Sequence, residues 1–392
     1  MPRLPAHRFV TIEDFRRAAR RRLPRAVFDY IDGGADAEVT LRANTGVFDD
    51  VAFLPRSAVA TSSCDLSTTI LGMPVAMPIL LAPVGSCRLF WPRGEEAAAR
   101  AAGEAGTIYM LSTLSGCRLE EVRAATRGPV FHQLYLLGGR DVALATIDRA
   151  RTAGISALVV TIDTPVAGQR ERDLRNGMKP LTSGTLLQKL PFMPQFAARP
   201  RWVLDFLRDG GLMCFPNVVL PDGPMPYADV GVALEQSMTS WSDLTWIRDA
   251  WQGPVVVKGV HTRDDALRAV DHGAEAIVVS NHGGRQLDGV RPTLQVLPEV
   301  VEAVGGRTEV LLDGGVRRGA DAVRALCLGA RAVLIGRPYA WALGATGGPG
   351  VARALEILRA DMVRTLRLLG CGRLDELDRS HIQVPAAWTA GA

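Results

Sequence analysis

The sequence lacks the features that would place it in a specialised class of protein. Its six cysteines lie far apart in the 392 residues, with no CxxC pair and no metal-ligand spacing, so we expect reduced thiols in a cytoplasmic protein and no metal site. No apolar run reaches about 18 residues, which argues against a membrane-spanning helix. The first residues do not resemble a signal peptide.

A strong charge of one sign is also missing, since the formal net charge is only +4. The one basic cluster, "RRAARRRLPR" from residue 16, places its arginines between apolar positions at helical spacing. We interpret it as a solvated helix face and expect no nucleic-acid partner. With 47% hydrophobic and 22% charged residues, the composition is that of a soluble globular protein with a large core.

A repeating pattern is present from about residue 74 onward. Short apolar runs end in polar or glycine residues and are followed by alanine-rich stretches of helical length. Eight runs are predicted as strands, at 77–83, 109–114, 129–135, 157–163, 254–259, 276–280, 309–315 and 332–337. Eight strand–helix units predict an α/β fold, a closed (β/α)₈ TIM barrel. An open doubly wound sheet would usually carry GxGxxG after its first strand, and none is found there.

Other segments fall outside this repeat. Residues 1–73 are predicted as an N-terminal extension with helices at 12–21 and around 24–31, residues 74–370 as the barrel, and residues 371–392 as a C-terminal tail. The stretch 178–240 is predicted as a lid inserted after the fourth strand. Its broken apolar patches include Trp202, Phe206, Met213 and Phe215, which we expect to be exposed and to contact a membrane surface unless they pack under the lid or in an oligomer interface.

Polar residues collect where the predicted strands end, which is where barrel enzymes place their chemistry. After strands seven and eight, Gly314, Gly315 and Gly336 would free backbone N–H groups for an anion. Arg317 and Arg337 follow them and would supply charge and paired donors. The two turns together predict a site for a phosphate-bearing ligand.

The motif "SNHGGRQLDG" (280–289) follows the sixth strand and adds a histidine and an arginine that a structural turn does not need. Asp163, at the end of another strand, is placed to orient His282 and stabilise its protonated form. Arg285 and Arg170 are suited to hold a small carboxylate, and Lys258 would face charge that builds on a cofactor. These residues indicate oxidation or proton abstraction on a small acid, with flavin, pyridoxal phosphate or a sugar phosphate all still open.

Between about residues 12 and 384 the sequence resembles the FMN-dependent 2-hydroxy acid dehydrogenase/oxidase family. The resemblance rests on "SNHGGRQLDG", "VVVKGV" and "LLDGGVRRGADAVRALCLGARAVLIGRPY". It implies FMN as cofactor and oxidation of an (S)-2-hydroxy acid to the 2-oxo product. The residues that it implies for catalysis are His282, Asp163, Lys258 and Tyr135, and those for substrate binding are Tyr30, Tyr135, Arg170, His282 and Arg285. The residues that it implies for FMN binding are Ala82, Pro83, Val84, Gly85, Ser112, Gln133, Thr161, Lys258, Ser280, Asp313, Gly314, Gly315, Arg317, Gly336 and Arg337.

Differences from the family pattern affect substrate and acceptor. Leu114 stands where plant-type glycolate oxidases carry tryptophan, which predicts a wider pocket and a lactate- or mandelate-like substrate; a cyclic 2-hydroxy lactone stays open. Gly85 and the apolar lid favour a quinone-like acceptor over oxygen, on the inner face of a membrane, although an oxygen-using oxidase is the alternative. The resemblance also implies a homo-oligomer, a tetramer or an octamer. A flavin-dependent isomerase, a barrel acting on phosphorylated substrates, a non-enzymatic FMN-binding scaffold and a peptide-modifying relative are weaker alternatives.

Overall fold

The core of the molecule is a closed barrel of eight parallel strands, seen in a computed structural model that describes residues 5–60 and 63–388. Residues 1–4, 61–62 and 389–392, which belong to the two predicted terminal segments, lie outside the described residues. The strands are β1 (Ile79–Leu81), β2 (Tyr109–Leu111), β3 (Val130–Leu134), β4 (Ala157–Thr161), β5 (Val255–Val260), β6 (Ala276–Val279), β7 (Glu309–Leu312) and β8 (Ala332–Ile335). The predicted (β/α)₈ barrel is confirmed.

Apolar residues on both faces of every strand explain why the sheet closes. Side chains such as Leu80, Phe131 and Val256 fill the barrel interior, while their chain neighbours pack outward against the helices. The barrel closes where Val333 of β8 pairs with Ile79 of β1. Val255 of β5 pairs with Leu158 of β4, so the long insertion between these strands does not interrupt the sheet.

Helices surround the barrel and follow each strand. They span Gly94–Glu104, Leu119–Ala124, Arg140–Thr152, Asp243–Trp251, Arg263–Asp271, Thr293–Val304, Gly319–Cys327, Arg337–Thr346 and Gly348–Leu368. A hairpin of strands Thr68–Ile70 and Met73–Val75 places Ile70 and Val75 against the interior cluster, at the end of the barrel opposite the strand C-termini. Chemistry is therefore confined to the other end.

The N-terminal segment carries helices Ile12–Arg22 and Arg25–Asp32, as predicted, and a third, Val39–Gly46, that the sequence did not indicate. Thr11 and Asp14 form a capping box that starts the first helix. The expectation of a solvated basic face is only partly right. Arg17 is exposed, but Arg16 is paired with buried Asp32 at 2.5 Å and Arg22 with Asp205 at 2.8 Å. These two arginines attach the helix to its neighbours.

The insertion after β4 is folded and contains six short α-helices, two 3₁₀ turns and a two-stranded ribbon. The helices span Glu171–Asn176, Met178–Ser183, Leu186–Lys189, Pro194–Ala197, Pro200–Arg208 and Val230–Glu235, and the ribbon strands Cys214–Leu220 and Gly223–Pro226. Outside the insertion, a short strand near the C-terminus of the chain, Ile382–Gln383, pairs antiparallel with Ala52–Phe53.

The predicted exposure of four lid side chains is wrong. Trp202, Met213 and Phe215 are buried, and Phe206 is half-buried and stacks on Trp202 with ring centroids 4.8 Å apart. They pack beneath the lid, and two contacts join the lid to the segment that follows β1. Arg88 pairs with Asp209 at 2.7 Å, and the indole N–H of Trp202 donates to the Leu89 carbonyl.

Other apolar side chains of the lid face outward instead. Their exposed fractions reach 84% at Leu186 and 78% at Leu187. We call this group the lid patch, and it consists of Leu186, Leu187, Leu190, Met193, Leu204 and Leu207. Within the described residues, no helix has the length and apolar character needed to cross a bilayer.

Candidate active site

The ends of the eight strands surround one cavity, and nearly all predicted site residues line it. Those lining it are Tyr30, Ala82, Pro83, Val84, Gly85, Ser112, Gln133, Tyr135, Thr161, Arg170, Lys258, His282, Arg285, Asp313, Gly314, Gly315, Arg317, Gly336 and Arg337. Asp163 and Ser280, the other two, lie directly behind this surface and hydrogen-bond to residues that form it. The structure therefore brings the whole predicted set together.

His282 and Asp163 form a hydrogen-bonded pair. The Nδ1 of His282 lies 2.9 Å from the Oδ1 of Asp163, and His282 has a left-handed backbone, with φ of 57°. Burial by itself would raise the pKa of the Asp163 carboxyl, but the facing His282 ring and the nearby Lys258 ammonium outweigh it and hold the pKa below its ordinary value. An ionised Asp163 fixes the proton of the neutral ring on Nδ1 and leaves Nε2 free to accept another.

Lys258 is a buried cation at the mouth of β5. Its Nζ lies 2.8 Å from the Oδ2 of Asp313 and donates to the Ser280 hydroxyl at 2.9 Å. Burial lowers the pKa of the ammonium, but Asp313 and Asp163 more than compensate and leave it raised. Two of its three N–H donors are thus oriented by the protein, and the third is available to the cavity.

A pair of arginines, Arg170 and Arg285, lines the part of the cavity that Tyr30 covers. Arg285 donates to the carbonyls of Tyr30 and Gly33, at 2.7 and 3.0 Å, and its guanidinium lies over the Tyr30 ring. Burial, with the nearby positive charge of Arg170, lowers the pKa of Arg285 to about 10, so it stays charged near neutral pH. Arg170 is held by Asp173 at 3.0 Å. An anion between the two arginines would relieve their mutual repulsion.

Beyond the ends of β7 and β8 the cavity suits a phosphate. Gly314 and Gly315 have φ of 95° and 89°, and a Cβ on Gly315 would lie 1.7 Å from the Asn44 carbonyl oxygen. Burial lowers the pKa of Arg317 to about 10 and moves that of Arg337 in the same direction. Free N–H groups beside two crowded guanidiniums are a typical oxyanion site.

The middle of the cavity fits a polar heterocycle such as the FMN ring. The Ser112 hydroxyl donates to the Oε1 of Gln133 at 3.1 Å, which fixes the side-chain amide. The Nε2 of Gln133 and the Oγ1 of Thr161 are buried without a hydrogen-bond partner in the part of the chain that the structure describes. Buried polar atoms of this kind require a partner, and both belong to residues lining the cavity.

Sequence reasoning did not single out several further lining residues, among them Thr164, Ala167, Leu234 and Gln286. Thr164 donates to the Asp163 carboxylate, and Gln286 donates to the Asp163 carbonyl. Ala167 and Leu234 add apolar surface near Leu114. Gln286 lies inside the quoted motif and was available as a signal, whereas nothing in the sequence indicates that Leu234 of the lid returns to the barrel mouth.

Comparison with known proteins matches the chain to a family model described as FMN-dependent dehydrogenase, over residues 19–384. An L-lactate dehydrogenase of Caulobacter sp. (strain K31) is 44% identical over 377 residues, which is 94% of this chain and 96% of that protein. A peroxisomal (S)-2-hydroxyacid oxidase of Arabidopsis thaliana is 39% identical over 374 residues, with 95% and 96% covered. Among solved structures, a monotopic membrane protein, (S)-mandelate dehydrogenase, superposes with a TM-score of 0.89 at 36% identity, covering 96% of this chain and all of that one.

Proposed function

Because the chain belongs to the FMN-dependent dehydrogenase family, whose relatives act on 2-hydroxy acids, we propose that it oxidises an (S)-2-hydroxy acid to the 2-oxo acid. One observation carries the proposal. The His282–Asp163 pair and the arginines Arg170 and Arg285 line or directly support the same cavity as the residues suited to FMN. A base and a carboxylate clamp beside a flavin site are what this oxidation requires.

The proposed reaction divides among a few side chains. Arg285 and Arg170 bind the substrate carboxylate, and this contact directs the hydroxyl-bearing carbon toward His282. Burial raises the pKa of the Tyr135 hydroxyl well above its ordinary value, so Tyr135 stays protonated and donates a hydrogen bond. His282 accepts a substrate proton at Nε2, and Asp163 stabilises the imidazolium that results. FMN, when bound, would supply the redox chemistry by taking up the two electrons together with the second hydrogen that the substrate loses.

Residues of the chain would hold FMN in a defined orientation. Gln133 and Thr161 offer hydrogen bonds to its ring, and Lys258 places a positive charge beside it. Gly314, Gly315 and Gly336 approach its phosphate, which Arg317 and Arg337 neutralise. The cofactor would thus be held at both ends by strands on opposite sides of the barrel.

The substrate side chain is proposed to be larger than that of glycolate. Leu114, Ala167 and Leu234 are apolar residues that line the cavity, and we assign them to the substrate side chain. Apolar surface favours a methyl or phenyl group, as in lactate or mandelate, over the hydrogen of glycolate. The two arginines favour a free carboxylate over a cyclic hydroxy lactone.

Anaerobic flavin bleaching with lactate, mandelate, glycolate and a hydroxy lactone tests substrate and reaction class together. We expect lactate or mandelate to bleach the flavin fastest, and Leu114→Trp to reduce the rate with mandelate more than with glycolate. Failure of all the hydroxy acids to bleach the flavin would overturn the proposed reaction. A lactone as the best substrate would retain the redox chemistry and reject the carboxylate assignment.

The proposed electron acceptor is a quinone at a membrane surface. The lid patch exposes six apolar side chains of the same insertion, and a monotopic membrane protein superposes on nearly the whole chain. A larger residue than glycine at position 85 would be crowded, because its Cβ would lie 3.1 Å from the Cβ of Leu114. Steady-state rates with oxygen and with a soluble quinone analogue on one preparation decide the point. Equal rates would identify an oxidase and leave the lid patch for another partner, such as a further copy of this chain in the proposed tetramer or octamer.

A further inference from the structure

A second large cavity, which we call the outer cavity, lies behind the phosphate end of the active site. Its volume is about 880 Å³, and it is formed by helix Ile12–Arg22, helix Val39–Gly46, the turn at Arg317 and helix Gly348–Leu368. Among the described residues, nine arginines line it: Arg16, Arg17, Arg42, Arg172, Arg317, Arg318, Arg337, Arg353 and Arg364. Such a density of guanidinium groups creates a strongly positive potential.

Acidic partners neutralise only part of this charge. Asp32 accepts from Arg16 and from Arg172, which also pairs with Glu38 at 2.5 Å. The remaining pairs in or beside the cavity join Arg17 to Glu13, Arg364 to Asp361 and Arg353 to Glu356. These contacts account for five of the nine arginines and for every acidic residue that lines the cavity.

Four arginines remain without a carboxylate partner among the described residues. Among the described residues, the Arg337 side chain donates only to the carbonyls of Gly283 and Gly33. The Arg317 side chain donates only to the carbonyl of the preceding residue, Val316. These two also line the active-site cavity, where they are committed to the FMN phosphate. Arg42 donates to one carbonyl, at 2.9 Å, and the Arg318 side chain makes no ion pair within residues 5–60 and 63–388, although its backbone N–H donates to Asp321.

We propose that the outer cavity binds a second anion, a phosphate monoester or inorganic phosphate, independently of FMN. The surplus charge at Arg42 and Arg318 matches a dianion once the FMN phosphate has been assigned to Arg317 and Arg337. The glycines suited to the FMN phosphate line only the active-site cavity, so the two sites are separate. Trp341, the one aromatic residue lining the outer cavity, is buried, which disfavours base stacking and hence a nucleic acid.

Binding of inorganic phosphate and of pyrophosphate to the FMN-loaded protein tests the proposal by isothermal titration calorimetry. Chloride at matched ionic strength is the blank. We expect one saturable site whose affinity falls with added salt. The Arg42→Ala/Arg318→Ala double variant should bind at least about tenfold more weakly, since two charge-assisted contacts are lost. Arg20→Ala, on the same helix as Arg16 but outside the cavity, should bind as the unchanged protein does.

The flavin absorbance spectrum, recorded through each titration, separates this site from the cofactor site. Retention of FMN at saturating phosphate supports a second site. Release of FMN in proportion to phosphate bound would overturn the proposal, because the anion would then occupy the cofactor's own phosphate site. Equal affinity in the double variant and the unchanged protein would overturn it too. None of these results depends on turnover, so they are independent of the proposed reaction.

Discussion

The Nδ1 of His282 lies 2.9 Å from the Oδ1 of Asp163, although 119 residues separate the two in the chain. Asp163 follows the end of β4 and His282 follows the end of β6. These two strands are separated in the barrel only by β5, so both residues lie at the same rim. Lys258 at the end of β5 adds a positive charge that helps to keep Asp163 ionised. The three residues act as one electrostatic unit, and the first two predictions concern it.

Replacing Asp163 with asparagine is expected to slow anaerobic flavin reduction by about 10²-fold or more, because the amide cannot stabilise a protonated His282. Stopped-flow bleaching with the best substrate measures this. Asp222→Asn, at an exposed turn of the lid ribbon, is the matched control and should react normally. Normal reduction by the Asp163 variant would remove the carboxylate from the mechanism.

His282→Gln is expected to retain FMN while flavin reduction falls about 10²- to 10⁴-fold, since loss of a general base has that cost. The FMN content is measured from the absorbance of the purified protein and the rate by anaerobic bleaching. His272→Gln, at the C-cap of helix Arg263–Asp271 and outside the active-site cavity, should leave both unchanged. Near-normal reduction in the His282 variant would end its assignment as the base.

Arg337→Ala is expected to weaken FMN binding about tenfold or more, because a charge-assisted contact to the phosphate contributes roughly 1.5–3 kcal/mol. Titration of the apoprotein with FMN, followed by flavin fluorescence, gives the dissociation constant. Arg318→Ala is the matched control, because Arg318 lines the outer cavity but not the active-site cavity. Unchanged affinity in the Arg337 variant would move the phosphate away from β8.

The Leu186→Gln/Leu187→Gln double variant is expected to lose binding to lipid vesicles, because these side chains are the most exposed of the lid patch. Co-sedimentation with anionic vesicles measures this, and rates with a soluble quinone analogue should not change. Leu368→Gln, with 68% of its residue surface exposed outside the lid, serves as control. If neither the unchanged protein nor the variant binds vesicles and only the oligomeric state changes, the patch is a subunit interface.

His132 on β3 predicts an acid-sensitive stability. It is fully buried, and neither ring nitrogen has a hydrogen-bond partner within residues 5–60 and 63–388. Burial, with the charge of Arg149, lowers its pKa from 6.5 to about 4. Between these two values the unfolded chain binds a proton that the folded protein excludes, so the contribution of His132 to stability is complete above pH 6.5 and falls as the pH falls. The loss between pH 7 and pH 5 is about 2 kcal/mol.

Urea unfolding at pH 7 and pH 5, with the unchanged protein and His132→Gln, measures this contribution. Glutamine does not titrate, so the variant should lose about 2 kcal/mol less than the unchanged protein over this interval, whatever its stability at pH 7. Equal losses in the two proteins would assign the acid sensitivity to other groups.

Local pattern was enough to predict the barrel. Each of the eight predicted strands overlaps an observed one, because strands buried on both faces need continuous apolar runs. Most of the predicted strands end too late in the chain. The seventh was predicted at 309–315 and is observed at Glu309–Leu312, because the glycines and polar residues after each strand already belong to the loops. The predicted residues at strand ends also share one cavity, because parallel strands in a barrel all point their carboxyl ends to one side.

The lid could not be predicted in the same way. Its apolar residues form no periodic pattern, and whether Trp202 is buried or Leu186 exposed depends on contacts with segments more than 100 residues away, such as the Trp202 bond to Leu89. The position of Tyr30 over the site followed only from the family resemblance, because its packing against Arg285 joins distant parts of the chain.

Local pattern in the sequence was sufficient for the eight strands and for the polar residues at their ends, because strand burial and strand-end position are local properties of the chain. Packing between distant segments sets which apolar side chains of the lid face outward, and it brings Leu234 to the lining of the active-site cavity. It also placed nine arginines from several helices and loops around one outer cavity. These features depend on how distant segments pack against one another, and no single stretch of sequence indicates that packing.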